Sequence, residues 1–183
     1  MKENLKDNIF IDGTRPTLME VLNRREERVY QIKKLLNDKN CVVCMKLNIP
    51  GEIKNNDWIL RIFEDAILKI DNKLLNIGAK IENKLIQNLK TGPEYIFSVS
   101  DIEPKKIKFA MVEIEEDSDI GRLYDIDVEI ENGSISRNDV DREERKCFIC
   151  DKPSKVCSSS RAHSVDEMLE FINELVLKTF NGD

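Results

Sequence analysis

The sequence predicts an α+β fold: a single domain over residues 1–183, with a largely antiparallel or mixed sheet packed with three main helices. Three observations predict it. Apolar stripes at helical spacing occupy the start, the end and one early stretch of the chain. Short β-branched runs fill the region between them. The whole is 183 residues, one domain's length, with no repeat, linker or low-complexity tract.

Taken in order, residues 1–16 read as a flexible polar lead. Thr17 and Glu20 then have the spacing of a capping box, in which each side chain satisfies the other residue's backbone N–H. Leu18, Val21, Leu22, Val29, Ile32, Leu35 and Leu36 follow on one stripe, so a helix is expected from Thr17 to Leu36. Cys41 to Leu47 is short, apolar and β-branched, and reads as a buried strand stopped by Pro50-Gly51. A second helix, capped by Asp57, carries Ile59, Ile62, Phe63, Ala66, Ile67, Ile70 and Leu74 on its inner face and ends at Gly78.

Strands are expected over Lys80 to Leu89, Tyr95 to Val99, Ile107 to Glu115 and Leu123 to Ile130. Asn132-Gly133 is a tight-turn signal leading to a short return strand at Ile135. A polar loop with three cysteines spans Arg137 to His163. A second capping box, Ser164 with Glu167, opens the final helix, whose inner stripe is Val165, Met168, Leu169, Ile172, Leu175, Val176 and Thr179. Met19, Met45, Met111 and Met168 are expected in the core.

Composition narrows the function. A net charge of −6 and a pI near 5.1 disfavour general nucleic-acid binding through phosphate neutralisation, so no nucleic-acid partner is expected. No apolar run approaches the ~20 residues that cross a bilayer, so no membrane partner is expected either. Five cysteines, an odd number, with no export signal at the start predict reduced thiols and a cytoplasmic location.

The informative segment is Gly121-Arg122-Leu123-Tyr124-Asp125-Ile126-Asp127-Val128. On a strand, Tyr124, Ile126, Val128 and Ile130 point to one face, and Asp125, Asp127 and Glu129 to the other. Two carboxylates on adjacent same-face positions can converge on one hard cation. Magnesium suits them, because it takes one or two protein carboxylates and completes its shell with water and substrate phosphates. Glu113 or Glu115 on the preceding strand would add a further carboxylate. The alternative is an amphipathic strand with its acidic face in water. Arg122 has the bidentate fork for a phosphate, or else pairs with a neighbouring acid. Arg142, Arg145, Lys146 and Lys152 form a basic loop that is either solvated or an electrostatic trap for an anion.

Cys147, Cys150, Cys157 and His163 offer three thiols and an imidazole, two of the thiols at knuckle spacing. They can complete a structural zinc site, although the Cys150-to-Cys157 interval is short for common zinc fingers; packed reduced thiols are the alternative. Cys41 and Cys44 stand three apart on a strand and point to opposite faces, so no chelating pair is expected there.

The chain resembles the citrate lyase holo-acyl-carrier-protein synthases. The resemblance rests on Gly121 to Val128 and, in order, on Arg24-Arg25-Glu26-Glu27-Arg28, Asn48-Ile49-Pro50-Gly51 with Lys54, Thr91-Gly92-Pro93-Glu94, and Cys147-Phe148-Ile149-Cys150 with Cys157 and His163. It covers residue 17 to the C-terminus. It implies a nucleotidyltransferase that takes 2'-(5''-triphosphoribosyl)-3'-dephospho-CoA. The group is joined to a serine of the apo citrate lyase acyl carrier protein, and pyrophosphate leaves. It also implies that Asp125, Asp127 and Arg122 are catalytic and that Asp125 and Asp127 hold Mg2+. Gly121, Arg122, Arg142, Arg145, Lys146 and Lys54 would bind substrate, and Arg24, Arg25 and Arg28 would dock the acidic carrier. Where the family often has His-Pro-Leu, this chain has Ser118-Asp119-Ile120, so a histidine base is not expected there. The rival readings are the equivalent enzyme of malonate decarboxylase and a non-catalytic, zinc-stabilised adaptor.

Overall fold

The computed structural model describes residues 8–36 and 41–181. Five strands form one sheet: β1 (Cys41–Leu47), β2 (Lys80–Gln87), β3 (Glu94–Ser100), β4 (Tyr124–Ile130) and β5 (Gly133–Ser134). Their order is β2-β3-β1-β4-β5, and every pairing is antiparallel. Five α-helices accompany them among the described residues: α1 (Leu18–Leu35), α2 (Asp57–Asn76), α3 (Pro104–Glu116), α4 (Ser154–Ser160) and α5 (Val165–Asn181). The α+β class therefore stands.

The period of two along the strands sorts the side chains into two layers. Cys41, Val43 and Met45 join Tyr95, Phe97, Tyr124, Ile126 and Val128 in the main core, covered by α2, α3 and α5. Val42, Cys44 and Ile96 face the other way and are covered by Ile32, Leu35 and Leu36 at the end of α1. Burial on both faces explains why β1 reads as a continuous apolar run. It also places Cys41 and Cys44 on opposite faces, as expected.

Helix starts follow the sequence signals closely. The Thr17–Glu20 box caps α1, with the Thr17 N–H donating to Glu20 Oε2 at 2.7 Å and the Glu20 N–H to Thr17 Oγ1 at 3.3 Å. The Ser164–Glu167 box opens α5 in the same way. On α2 the cap is Asn56, whose Oδ1 accepts from the Ile59 N–H at 2.9 Å; Asp57 is the first helical residue.

Four expectations are corrected. Ile107 to Glu115 is helical, not a strand: Pro104 stands at the helix start with its φ already suited, and Ile107, Met111 and Ile114 are buried at helical spacing. The apolar stripe of α1 covers the sheet only at its C-terminal end, because Leu18, Met19, Leu22 and Val29 are exposed and the buried residue of the helix is Arg24. Residues 8–16 of the expected lead are tied down. Ile9 is buried, its N–H donates to Asn173 Oδ1 at 2.8 Å, and Thr14 bridges to Asn55. Residues 1–7 lie outside the described residues. Lastly, the return strand after Asn132 is Gly133–Ser134, with Ile135 beyond it in the core.

Candidate active site

Strand β4 presents its acids as the alternation requires. Tyr124, Ile126 and Val128 are fully buried, whereas Asp125 and Asp127 are half-buried on the opposite face. Because α1 covers only the β3 and β1 side of that face, the β4 side is left open. In register with it, β1 places Lys46 beside Asp125 and Cys44 beside Asp127. The Lys46 ammonium donates to Asp125 Oδ2 at 2.9 Å and to Asp127 Oδ2 at 2.8 Å. Both carboxylates therefore converge on one cation position. Burial would raise the Asp125 carboxyl, but the Lys46 ammonium and the Arg145 guanidinium overcome it and hold the group below its usual range.

Among the described residues the outer edge of β4 has no neighbouring strand at Ile126, and side chains complete it. Glu115 Oε1 accepts from the Ile126 N–H at 2.9 Å, and the Lys108 ammonium donates to the Ile126 carbonyl at 2.9 Å. Glu115 also receives Arg145 at 2.7 Å and Arg137 on its second oxygen. Glu115 and Lys108 are both buried, and burial lowers the pKa of Lys108. Glu115 is thus a structural acceptor on α3 that aims two guanidiniums, not the extra carboxylate ligand expected from a strand. Arg145 reaches on to Asp125 at 3.5 Å.

The resulting cleft has a volume of about 360 Å³. Asp125 and Asp127 lie in its wall with Lys108, Arg137, Arg145 and Lys155 and with two further acids, Glu115 and Glu144. Paired carboxylates with basic side chains beside them are complementary to a polyanion that arrives with a divalent metal. The donor set fits magnesium: two carboxylate oxygens already share one cation position, and the remaining wall is open to water and ligand.

The other expected site residues are dispersed. Arg145 lines the cleft, and Lys146 lines the adjoining cavity. Arg142 pairs with Glu116 and lies 4.5 Å over the Phe109 ring, outside the cleft. Lys54 donates to the Ile49 carbonyl at 2.7 Å, bracing the Pro50-Gly51 turn. The Arg122 guanidinium sits over Phe148 and Phe171 and donates to the Cys147 carbonyl, tying the cysteine loop to α5. Gly121 is buried in a 3-10 turn, where an added Cβ would lie 2.6 Å from the Ile114 carbonyl oxygen. Its smallness serves close packing of that turn on α3. Arg24 and Arg28, expected as a docking face, instead hold the buried Glu94 at 2.7 Å each. Lys46, Lys108 and Arg137 were not anticipated. A lone lysine in an apolar strand was the available signal for Lys46, and the strand register that gives it meaning is not local.

The cysteine loop folds as a knuckle. The Cys147 N–H donates to the Lys152 carbonyl at 2.9 Å, Lys146 bridges to Pro153, and the Ile149 N–H approaches the Cys147 sulfur at 3.5 Å. Burial raises the Cys147 thiol, and the N–H groups of Ile149 and Cys150 together with the Cys157 and Cys150 thiols more than offset it, leaving it below its ordinary value. The ligand atoms of Cys147, Cys150, Cys157 and His163 all lie within 4.8 Å of one another. Cys150 Sγ is 3.5 Å from Cys157 Sγ and 3.3 Å from His163 Nε2. Tetrahedral zinc with ~2.3 Å bonds to sulfur needs separations of about 3.8 Å, so this cluster can hold such a metal.

The antiparallel α+β fold thus carries a cleft with paired carboxylates and basic side chains in its wall. The chain belongs to the apo-citrate lyase phosphoribosyl-dephospho-CoA transferase family, whose model matches residues 16–179. It is 34% identical to a Streptococcus pyogenes protein named "Probable apo-citrate lyase phosphoribosyl-dephospho-CoA transferase", over 97% of this chain and 94% of that one. A Vibrio cholerae protein of the same name is 29% identical over 87% of this chain and 90% of that one. A Haemophilus influenzae protein named CitXG is 30% identical over 90% of this chain, but over only 36% of that longer protein.

Proposed function

We propose that this chain transfers the phosphoribosyl-dephospho-CoA group from 2'-(5''-triphosphoribosyl)-3'-dephospho-CoA to a serine of the apo citrate lyase acyl carrier protein. The serine oxygen forms a new bond to the α-phosphorus, the bond to the leaving oxygen breaks, and pyrophosphate departs. The observation that carries this reading is the convergence of Asp125 and Asp127 on a single cation position, that of the Lys46 ammonium, beside a cleft that Lys108, Arg137 and Arg145 also line.

In this reading Asp125 and Asp127 hold a magnesium ion, which when bound neutralises charge on the triphosphate and on the departing pyrophosphate. Lys46, which donates to both carboxylates, would turn to the phosphate oxygens where the ion takes its place. Arg145 and Arg137, fixed by Glu115, present their guanidiniums to the same oxygens without reorganising. One carboxylate of the pair assists removal of the serine proton. A zinc ion in the Cys147, Cys150, Cys157 and His163 cluster is assigned a structural part. With five free cysteines and no disulfide among the described residues, we place the protein in the cytoplasm.

Mass spectrometry of the apo carrier, incubated with protein, magnesium and precursor, should show addition of the prosthetic group. The double variant Asp125→Asn/Asp127→Asn should lose transfer by at least 1,000-fold, or about 4 kcal/mol of transition-state stabilisation, while keeping its fold. Wild-type turnover in a folded double variant would remove the assignment.

A further inference from the structure

A second cavity, of about 490 Å³, adjoins the acidic cleft and shares Asn48, Arg145 and Ser154 with it. It lies between the cysteine knuckle and the start of α5, and its character differs. Pro50, Phe148, Val165 and Met168 give it apolar walls, Lys146 and Arg161 also line it, and so do Cys147, Cys157 and His163 of the knuckle. Its size is within the usual range for a small-molecule site. Apolar surface combined with a few cations suits an organic body bearing phosphates, not a bare polyphosphate.

We infer that this cavity receives the dephospho-CoA portion of the substrate, with Arg145 at the junction where the two cavities meet. The inference rests on the transferase reading and extends it to the part of the substrate that does not react. A molecule with a triphosphate at one end and a nucleotide and pantetheine body at the other needs two contiguous sites of opposite character. The two cavities supply them in that order. The α-phosphorus, which joins body to leaving group, falls at the shared wall beside Arg145 and Asn48. Asn48 is held there by its N–H, which donates to the Leu123 carbonyl at 2.7 Å just before β4 begins. Remote binding energy of this kind raises the transfer rate when it orients the reacting centre.

The test is calorimetric titration of the full chain with dephospho-CoA, which lacks the triphosphoribosyl arm, in the absence of magnesium. Dephospho-CoA should bind, and should compete with the precursor. Met168→Trp, at a half-buried position on α5 that lines the cavity, should fill it and weaken binding at least tenfold. Lys146→Ala, at an exposed position, should weaken it severalfold and serves if the tryptophan variant does not fold. No binding of dephospho-CoA, with transfer from the full precursor intact, overturns this inference and leaves the reaction assignment standing. Binding that survives in a chain unable to transfer the group would do the reverse. If Met168→Trp instead weakens only the carrier protein, the cavity belongs to the acceptor and the inference fails.

Discussion

Lys46 shows how one side chain can determine the state of a site. Two carboxylates side by side on one face of a strand repel, and the ammonium between them removes that cost. It also competes with any metal for the same oxygens. Lys46→Met should therefore tighten binding of Mn2+, an ion visible by paramagnetic resonance, by roughly 5- to 30-fold, equivalent to about 1–2 kcal/mol, while lowering the rate of transfer. Weaker Mn2+ binding in this variant would mean that the lysine orients the carboxylates instead of competing with metal. At the same scale, Gly121 and Arg122 are legible in the sequence as an unusual entry to β4, yet their environment assigns them packing and tethering. A glycine needed for contact with a helix and one needed for contact with a ligand look alike in a sequence.

Among the elements, α1 is held less by oil than by charge. Its middle rests on Glu94, whose side chain is only 3% exposed between Arg24 and Arg28. Burial would raise the Glu94 carboxyl, and the two guanidiniums hold it below its ordinary range. Glu94→Gln takes the shared carboxylate from both cations, leaving Arg24 with Glu27 at 3.2 Å, which costs about 3–5 kcal/mol for a buried network. Denaturant unfolding should register that loss, and hydrogen exchange should show α1 opening ahead of the sheet. A change below about 1 kcal/mol would show that the apolar contacts of Ile32, Leu35 and Leu36 suffice. Helix α3 teaches a related lesson. Polar and apolar residues alternate only at the two ends of Ile107 to Glu115, around the apolar run Phe109-Ala110-Met111-Val112, and short runs of that kind do not separate the two periods. Pro104 was the local signal for a helix. Burial of Lys108 and Glu115 as well as Ile107, Met111 and Ile114 then blurred its polar face.

For the whole molecule, the knuckle fastens the return from the sheet to the base of α5. A metal there closes the segment from Cys147 to His163, a loop whose constraint is worth about 3 kcal/mol by analogy with a covalent closure of similar length. The purified protein should carry one equivalent of zinc by atomic emission. Stripping it, or replacing Cys150 and Cys157 with serine, should lower Tm by roughly 6–12 °C for a chain of this size. The sheet should survive, because the main core includes none of the four ligands. Absence of zinc together with an unchanged Tm on chelation would leave packed thiols as the explanation.

Both capping boxes, the buried strand β1, the second helix with its stop at Gly78, and the same-face pair Asp125 and Asp127 were determined by the sequence alone, because each depends on contacts within a few residues. The tertiary structure decided what surrounds that pair. Lys46 comes from 79 residues away, Glu115 and Lys108 from a helix that local periodicity misread, and Arg137 and Arg145 from the loop that follows. Whether Arg24 is a docking residue or a buried anchor was likewise settled only by strand β3 bringing Glu94 beneath it. Local chemistry follows from neighbours in the chain; the electrostatics of a cleft follow from strand register and helix placement, which bring together charges that the sequence keeps far apart.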